Sequence, residues 1–230
     1  MAAAGSGERL GAGGPKAFVA LAGRPMIEWS IAAFRSARPV GSILIATPPG
    51  HLHDLTGDDL GLVAGGKTRA ESVANALAAV DTELVAIHDA ARPLVTPGLI
   101  EDLIAALLAD PGAAGVIAAA PLTDTIKQVG PSASGPGARV SGPPAGELVI
   151  ERTLDRSRLW AAQTPQVFRT DALRAALAPD LRHSAAATDE ASLVEAAGGR
   201  VLIHPAPAEN LKVTTPLDLR LAAVLLAKAG

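Results

Sequence analysis

The chain has 230 residues, with 20 Lys and Arg against 23 Asp and Glu, a formal charge of −3, and nearly half of its residues apolar. A balance on the acidic side argues against a nucleic-acid surface, and 2% aromatics leave few rings on which single-stranded bases could stack. The absence of cysteine excludes disulfides, thiolate catalysis and cysteine zinc sites, and no apolar run approaches the ~18 residues of a membrane span. Charges at Glu8 and Arg9 interrupt any signal-peptide core, so a soluble, cytoplasmic protein of one α/β domain, 1–230, is expected.

Taken in order, Ala3 to Lys16 (AAGSGERLGAGGPK) packs five glycines into a dozen residues. Such a stretch lets backbone N–H groups close on an anion, and Arg9 and Lys16 add fixed positive charge, which predicts a polyphosphate cradle. The plainer alternative is a flexible terminal tail. Neither standard glycine loop fits: Leu10 stands where GxGxxG needs its last glycine, and Pro15 precedes Lys16 where a P-loop needs glycine.

Pro25 to Ala37 sets Met26, Trp29, Ile31, Ala33 and Phe34 on one stripe and predicts a core-facing helix. GSILIATPP and LVAGG at 62–66 are short strands stopped by proline and glycine, and Arg69 to Val80 is a helix. Leu84 to Ile87 is a strand ending at HDAARP, Pro97 to Ala109 a helix with Thr96 as N-cap, and Ala113 to Ala120 another strand. Apolar strands alternating with helices predict a mostly parallel, Rossmann-like twisted sheet with helices on both faces. Ligands of such sheets sit at the carboxyl ends of the strands, where GGKTR, HDAARP and PLTDT would gather on one rim.

Between Lys127 and Ile150 the chain turns to Gly, Pro and Ser, the composition of a disordered insertion. The alternating pieces TIKQV and ELVIERT flank it, however, and predict a projecting β-hairpin, residues 124–157 forming an inserted arm. A two-stranded ribbon is marginal alone, so the arm is expected to make a homodimer. After Leu159 to Phe168 come a helix at Thr170 to Leu177, a helix starting near Thr188, a strand RVLIH, and a last helix with Thr215 as cap, Pro216 first and Asp218 third.

One motif misleads. Gly61 to Thr68 satisfies GxxxxGK[ST], and the apolar strand before Asp89 resembles the magnesium-holding strand of P-loop ATPases, but Leu62 to Ala64 read as strand where the loop should be. The more economical assignment makes the clusters parts of one phosphoryl-type transfer. Gly5 to Lys16 wrap a triphosphate; Gly65, Gly66, Arg69 and Ser72 hold base or ribose; Asp89 helps to hold Mg²⁺; Arg92, Arg156 and Lys212 hold an anionic second substrate. The alternatives are a strand-end carboxylate for Asp89 and solvated charge for the lone basic residues. His88 is expected to be a packed strand-end histidine and Trp160 a core residue.

AAGSGERLG with PK, then GG before RAESV, HDAARPLV, PLTDTIK, LWAAQTPQVF, ATDEASLVEAAGG and NLKVTTPLDL appear in the order and spacing of one family. Over nearly its whole length the chain resembles the 2-C-methyl-D-erythritol 4-phosphate cytidylyltransferases, members of the nucleotidyltransferase superfamily. The opening element is shared by nucleotidyltransferases generally, whereas HDAARP with TDT, QTPQ and TDEAS is specific to this group. The resemblance implies attack of the polyol phosphate on the α-phosphorus of CTP with release of pyrophosphate, in non-mevalonate isoprenoid biosynthesis. It implies catalysis by positioning and charge, with Arg9, Lys16 and Lys212 at the reacting phosphates and Mg²⁺ on Asp89. Ala3, Ala4, Gly5, Gly7, Gly66, Arg69, Ser72 and Ala90 fall on the nucleotide side. Asp89, Arg92, Thr125, Arg156, Thr164, Thr188 and Lys212 surround the polyol phosphate, Thr125 and Arg156 reaching in from the other subunit of a homodimer.

Family members usually carry an apolar strand before AAG, where this sequence has Met1 and Ala2. A chain extended upstream by a Val/Ile-rich segment is therefore expected to be more stable and more active. With no cyclase sequence after Gly230, the form without the fused cyclising enzyme is expected. The rival readings are a ribitol-5-phosphate cytidylyltransferase and a catalytically weak nucleotide-binding module; neither nucleic acid nor membrane is expected as a partner.

Overall fold

In the computed structural model, which describes residues 1–5, 10, 14–48, 50–51, 55, 57, 59–131, 148–178 and 189–229, the short apolar runs form the strands. A small hairpin, β1 (Ala20–Leu21) and β2 (Arg24–Pro25), turns through Ala22 and Gly23, both at positive φ. This is the backbone that two-residue hairpins favour, and it delivers the chain directly into α1 (Met26–Ser36). Pro25 caps that helix rather than opening its first turn, and Met26, Ile27, Ile31, Ala33 and Phe34 are buried along it.

Strands β3 (Ile43–Thr47) and β4 (Leu60–Ala64) pair in parallel, and α2 (Arg69–Leu77) follows β4 after a short glycine turn. Then come β5 (Leu84–Ile87), α3 (Pro97–Ala109) with Thr96 capping the Leu99 amide, and β6 (Gly115–Pro121). After the ribbon strands β7 (Lys127–Pro131) and β8 (Leu148–Thr153) the chain continues through β9 (Trp160–Arg169), α4 (Thr170–Ala176), α5 (Glu190–Ala196), β10 (Val201–Pro205) and α6 (Pro216–Ala229). Thr215 accepts from the Asp218 amide, as the sequence predicts for the start of α6.

Ala2 forms parallel bridges to Ala46 of β3 and to Asp89 just beyond β5. Its amide donates to His88 O at 2.8 Å and its carbonyl accepts from the Ala90 amide, so the first residues act as a strand between β3 and β5. On the other side β5 pairs with β9, and β6 lies between β9 and β10. The sheet is mixed: β9 runs antiparallel to β5, although β3–β4 and β6–β10 are parallel.

Side-chain alternation divides the core between two faces. Val116, Ala118 and Val167 pack with Leu99, Leu103 and Leu107 of α3, while Ile117 and Phe168 pack with Val73 and Leu77 of α2, Leu173 of α4 and Leu193 of α5. Helices therefore cover both faces, and every strand between them must be apolar on both sides. Among the described residues no helix is long and apolar enough to cross a membrane.

Two compact units result: residues 1–119 with 162–230, and residues 120–161. The second is built on the antiparallel ribbon, in which Lys127 faces Thr153 and Pro131 faces Leu148, with a register shift at Gln128/Val129. Every side chain of β8 is exposed. Trp160, expected in the core, is 37% exposed, because it belongs to this second unit rather than to the covered part of β9.

Candidate active site

A cavity of about 600 Å³ opens where the Met1–Ala3 segment, β4 and β5 end, the position at which an open α/β sheet leaves room for ligands. It collects most of the residues singled out in the sequence. Ala3, Ala4 and Gly5 line it from the opening segment and Lys16 from the 3-10 turn Lys16–Phe18, whose amide reaches back to Gly5 O. Gly66, Arg69 and Ser72 come from the turn and first helical residues after β4; Asp89 and Ala90 follow β5; Lys212 approaches from the segment before α6.

Glycine is required at the β4–α2 turn because the backbones approach closely. A Cβ on Gly65 would lie 2.6 Å from the Ala4 Cβ and 3.0 Å from Thr47 O, and one on Gly66 would lie 2.3 Å from the Glu71 Cβ. Side chains at the start of α2 satisfy amides of the helix and of the turn before it: Thr68 Oγ1 accepts from the Glu71 amide, Glu71 from the Lys67 amide, and Ser72 Oγ from the Gly66 amide. This disposes of the P-loop match, since Gly61 lies inside β4 and the stretch up to Ala64 is strand.

The electrostatic centre is a chain of four charges. Lys212 Nζ donates to Asp89 Oδ2 at 2.7 Å, Arg69 Nε to Asp89 Oδ1 at 2.9 Å, and Arg69 Nη1 to both oxygens of Glu190 at 2.5 and 2.6 Å. Burial pushes the Asp89 carboxyl up, but Arg69 and Lys212 outweigh it and hold Asp89 well below the ordinary carboxylate range. Burial likewise opposes the charge on Arg69, and Asp89 with Glu190 outweighs it, so the guanidinium is held more firmly protonated than usual. At Glu190, with 1% side-chain exposure, burial raises the carboxyl and Arg69 pulls it back.

Behind the cavity the HDAAR loop is fastened to β9. His88 is fully buried; its Nδ1 meets Thr164 Oγ1 at 3.1 Å and its Nε2 meets Arg92 O at 3.2 Å, while burial lowers the imidazole to about 3. It is therefore a neutral, packed histidine. The Asp89 amide donates to Thr164 Oγ1, which fixes the acid at the cavity's edge. Arg92 donates through Nη1 to Asn210 O and through Nη2 to Ala162 O, and its buried Nε has no hydrogen-bond partner among the described residues. Neither Arg92 nor Thr164 lines the cavity.

Thr125 and Arg156 lie in the second unit, where Arg156 Nη1 donates to Thr123 O. Gly7, Arg9 and Thr188 lie outside the described residues. Lys67 and Thr68, placed on the rim by the GGKTR cluster but given no role outside the P-loop match, also line the cavity, as does Thr214, which sequence reasoning passed over together with Glu190, which holds Arg69 from outside it. Glu190 is the third residue of TDEAS, so its motif was visible although its role was not.

For a divalent cation, Asp89 is the donor at hand. Among the described residues no group of three or more His, Cys, Asp or Glu could form an all-protein cage. Both oxygens of Asp89 are already taken by Arg69 and Lys212, so the described residues lining the cavity offer no open carboxylate to Mg²⁺, and the ion expected on Asp89 would have to displace one of those cations.

The family model for IspD, 2-C-methyl-D-erythritol 4-phosphate cytidylyltransferase, matches residues 1–228. A protein of that name from Frankia casuarinae is 44% identical over 231 residues, covering 98% of this chain and 79% of its own length. The one from Bordetella petrii is 41% identical, covering 95% of this chain and 93% of its own. Among solved structures, the 2-C-methyl-D-erythritol 4-phosphate cytidylyltransferase of Thermus thermophilus superposes with a TM-score of 0.76 at 33% identity, over 92% of this chain and 94% of that one. The charged cavity at the strand ends thus sits in a chain that belongs to the 2-C-methyl-D-erythritol 4-phosphate cytidylyltransferase family.

Proposed function

We propose that the cavity bounded by Ala3–Gly5, Lys16, Gly66–Ser72, Asp89 and Lys212 is where this enzyme transfers CMP from CTP to 2-C-methyl-D-erythritol 4-phosphate, as the nucleotidyltransferase of isoprenoid biosynthesis that its family is. An oxygen of the polyol phosphate attacks the α-phosphorus, the bond from that phosphorus to the bridging oxygen of the β-phosphate breaks, and pyrophosphate leaves with the electron pair. No side-chain nucleophile is needed, so the protein's task is orientation and charge stabilisation. The observation that carries this reading is Lys16, Arg69, Asp89 and Lys212 converging on one cavity at the strand ends.

In this assignment Lys16 and Lys212, with Arg9, stabilise charge on the reacting phosphates. Ala3, Ala4, Gly5 and Gly7 accept the phosphates along the backbone, and Gly66, Arg69, Ser72 and Ala90 face the nucleoside. Asp89 and Thr188 serve the polyol phosphate, with Arg92 and Thr164 acting from behind the cavity through the HDAAR loop that they fasten. Thr125 and Arg156, on the arm 124–157, reach the site of a second copy in a homodimer. Mg²⁺ would come with the nucleotide's own oxygens, would reach Asp89 only in place of Arg69 or Lys212, and would supply positive charge that neutralises the phosphates.

Pyrophosphate release is the direct test, with CTP and either 2-C-methyl-D-erythritol 4-phosphate or ribitol 5-phosphate. Turnover with the first supports the reading. Turnover with ribitol phosphate alone, or CTP binding without pyrophosphate release, overturns it. Mixing Arg156→Ala with Lys16→Ala subunits should restore part of the activity if sites are shared between copies; no recovery counts against the shared site.

A further inference from the structure

Glu190 is almost wholly buried and does not line the cavity, and among the described residues its carboxylate meets Arg69. It is nonetheless placed with care. On its N-terminal side Asp189 Oδ2 accepts from Gln166 Nε2 at 2.8 Å, and on its C-terminal side the Ala191 amide donates to Gln166 Oε1 at 3.3 Å. Gln166, itself buried on β9, thus pins both neighbours of Glu190 to the sheet. Asp189 also caps α5 through the Ser192 amide. A carboxylate held this firmly defines where its partner's guanidinium must stand.

Arg69 is the partner, at the first position of α2 on the cavity wall. It divides its donors, with Nη1 on Glu190 and Nε on Asp89 Oδ1, so that Asp89 Oδ2 stays with Lys212. Arginine and a single carboxylate prefer a two-point fork. Without Glu190 the same guanidinium is free to close on Asp89 with two donors, competing with Lys212 and moving off the wall. The charges also balance only with Glu190 present, two anions against two cations in a partly buried chain.

We infer that Glu190 is a positioning residue of the nucleotide site, acting through Arg69 to keep that guanidinium on the cavity wall and Asp89 shared with Lys212. This rests on the placement of CTP in this cavity. The test is a double-mutant cycle read by calorimetric titration with CTP on the full-length protein, using Glu190→Gln, Arg69→Gln and the pair. Glu190→Gln should weaken CTP binding about tenfold, within the coupling range of side chains in one ion-pair network, and raise KM for CTP with kcat changed far less. In the Arg69→Gln background the same substitution should change nothing further.

Unchanged CTP affinity in Glu190→Gln, or equal losses in both backgrounds, overturns the inference while leaving the cavity assignment intact if Arg69→Gln weakens binding. No effect of Arg69→Gln removes the nucleotide from this wall and the inference with it. Should Glu190→Gln not fold, the cycle is run with Glu190→Asp, which keeps the charge and withdraws it by one methylene. A loss of affinity confined to the Arg69 background then supports the inference, and equal affinity or equal losses overturn it.

Discussion

The cavity and the ribbon use the same kinds of residue in opposite ways. Around the cavity, two buried acids are paired with partly exposed cations over long sequence separations, 121 residues from Arg69 to Glu190 and 123 from Asp89 to Lys212. In the ribbon the polar contacts are exposed and cross-strand, such as Arg152 Nε to Gln128 Oε1 at 2.8 Å and Lys127 Nζ to Thr153 Oγ1 at 2.7 Å. Leu148, Val149 and Ile150 there are all more than half exposed. The difference teaches where substitutions should be felt: a charge in the first region is held by partners that only the whole fold supplies, whereas one in the second has water as an alternative partner.

The largest effect is expected at Lys16. Lys16→Ala should lower turnover ~10² to 10³-fold, as loss of one preorganised donor does elsewhere, with a much smaller change in binding of the polyol phosphate. Unchanged kcat would remove Lys16 from charge stabilisation. Next is Asp89→Asn, which leaves Arg69 and Lys212 facing each other. It should cost about 3 kcal/mol in urea unfolding, the low end for breaking a buried pair, because Lys212 is 41% exposed and can hydrate. The contrasting exposed pair, Arg174 with Asp171, should cost less than about 0.5 kcal/mol when broken.

A pH dependence follows from His88. Its imidazole is lowered to about 3 by burial, whereas in the unfolded chain it titrates near ~6.5. Between those values the unfolded chain binds a proton that the folded one does not, so stability is full above the unfolded pKa and declines as the pH falls. From pH 7 to pH 5 the loss should be about 2 kcal/mol, and His88→Gln should flatten that slope in urea midpoints. The smallest effect on folding is expected in the ribbon. Replacing Val149 and Ile150 with serine should alter monomer stability by less than about 0.5 kcal/mol each, yet shift sedimentation from dimer to monomer if this face meets a second copy. A large loss of stability instead would mean that these side chains support their own unit.

Much of this was legible because it is local. Leu84–Ile87 and Pro97–Ala109 have the bounds their apolar pattern predicts, and Thr96 and Thr215 cap where a small hydroxyl residue precedes a proline-led helix. The glycines at 65 and 66 stop β4 at Ala64, where the sequence predicts its end, and the close approach that they permit there is the structure's addition. Less legible were Trp160, whose apolar bulk suggested the core, and the mixed character of the sheet. Strand direction depends on which neighbour β9 finds after the ribbon, and no residue in LWAAQTPQVF encodes that.

The sequence by itself determined the elements, the glycine turns and the order of family motifs, because caps, periodicity and backbone freedom act over a few neighbouring residues. Only the tertiary structure decided that Asp89 shares its two oxygens between Arg69 and Lys212, and that Glu190 stands behind Arg69. Those contacts join residues more than a hundred positions apart, and their strength comes from burial that exists only once the sheet and its helices have closed around them.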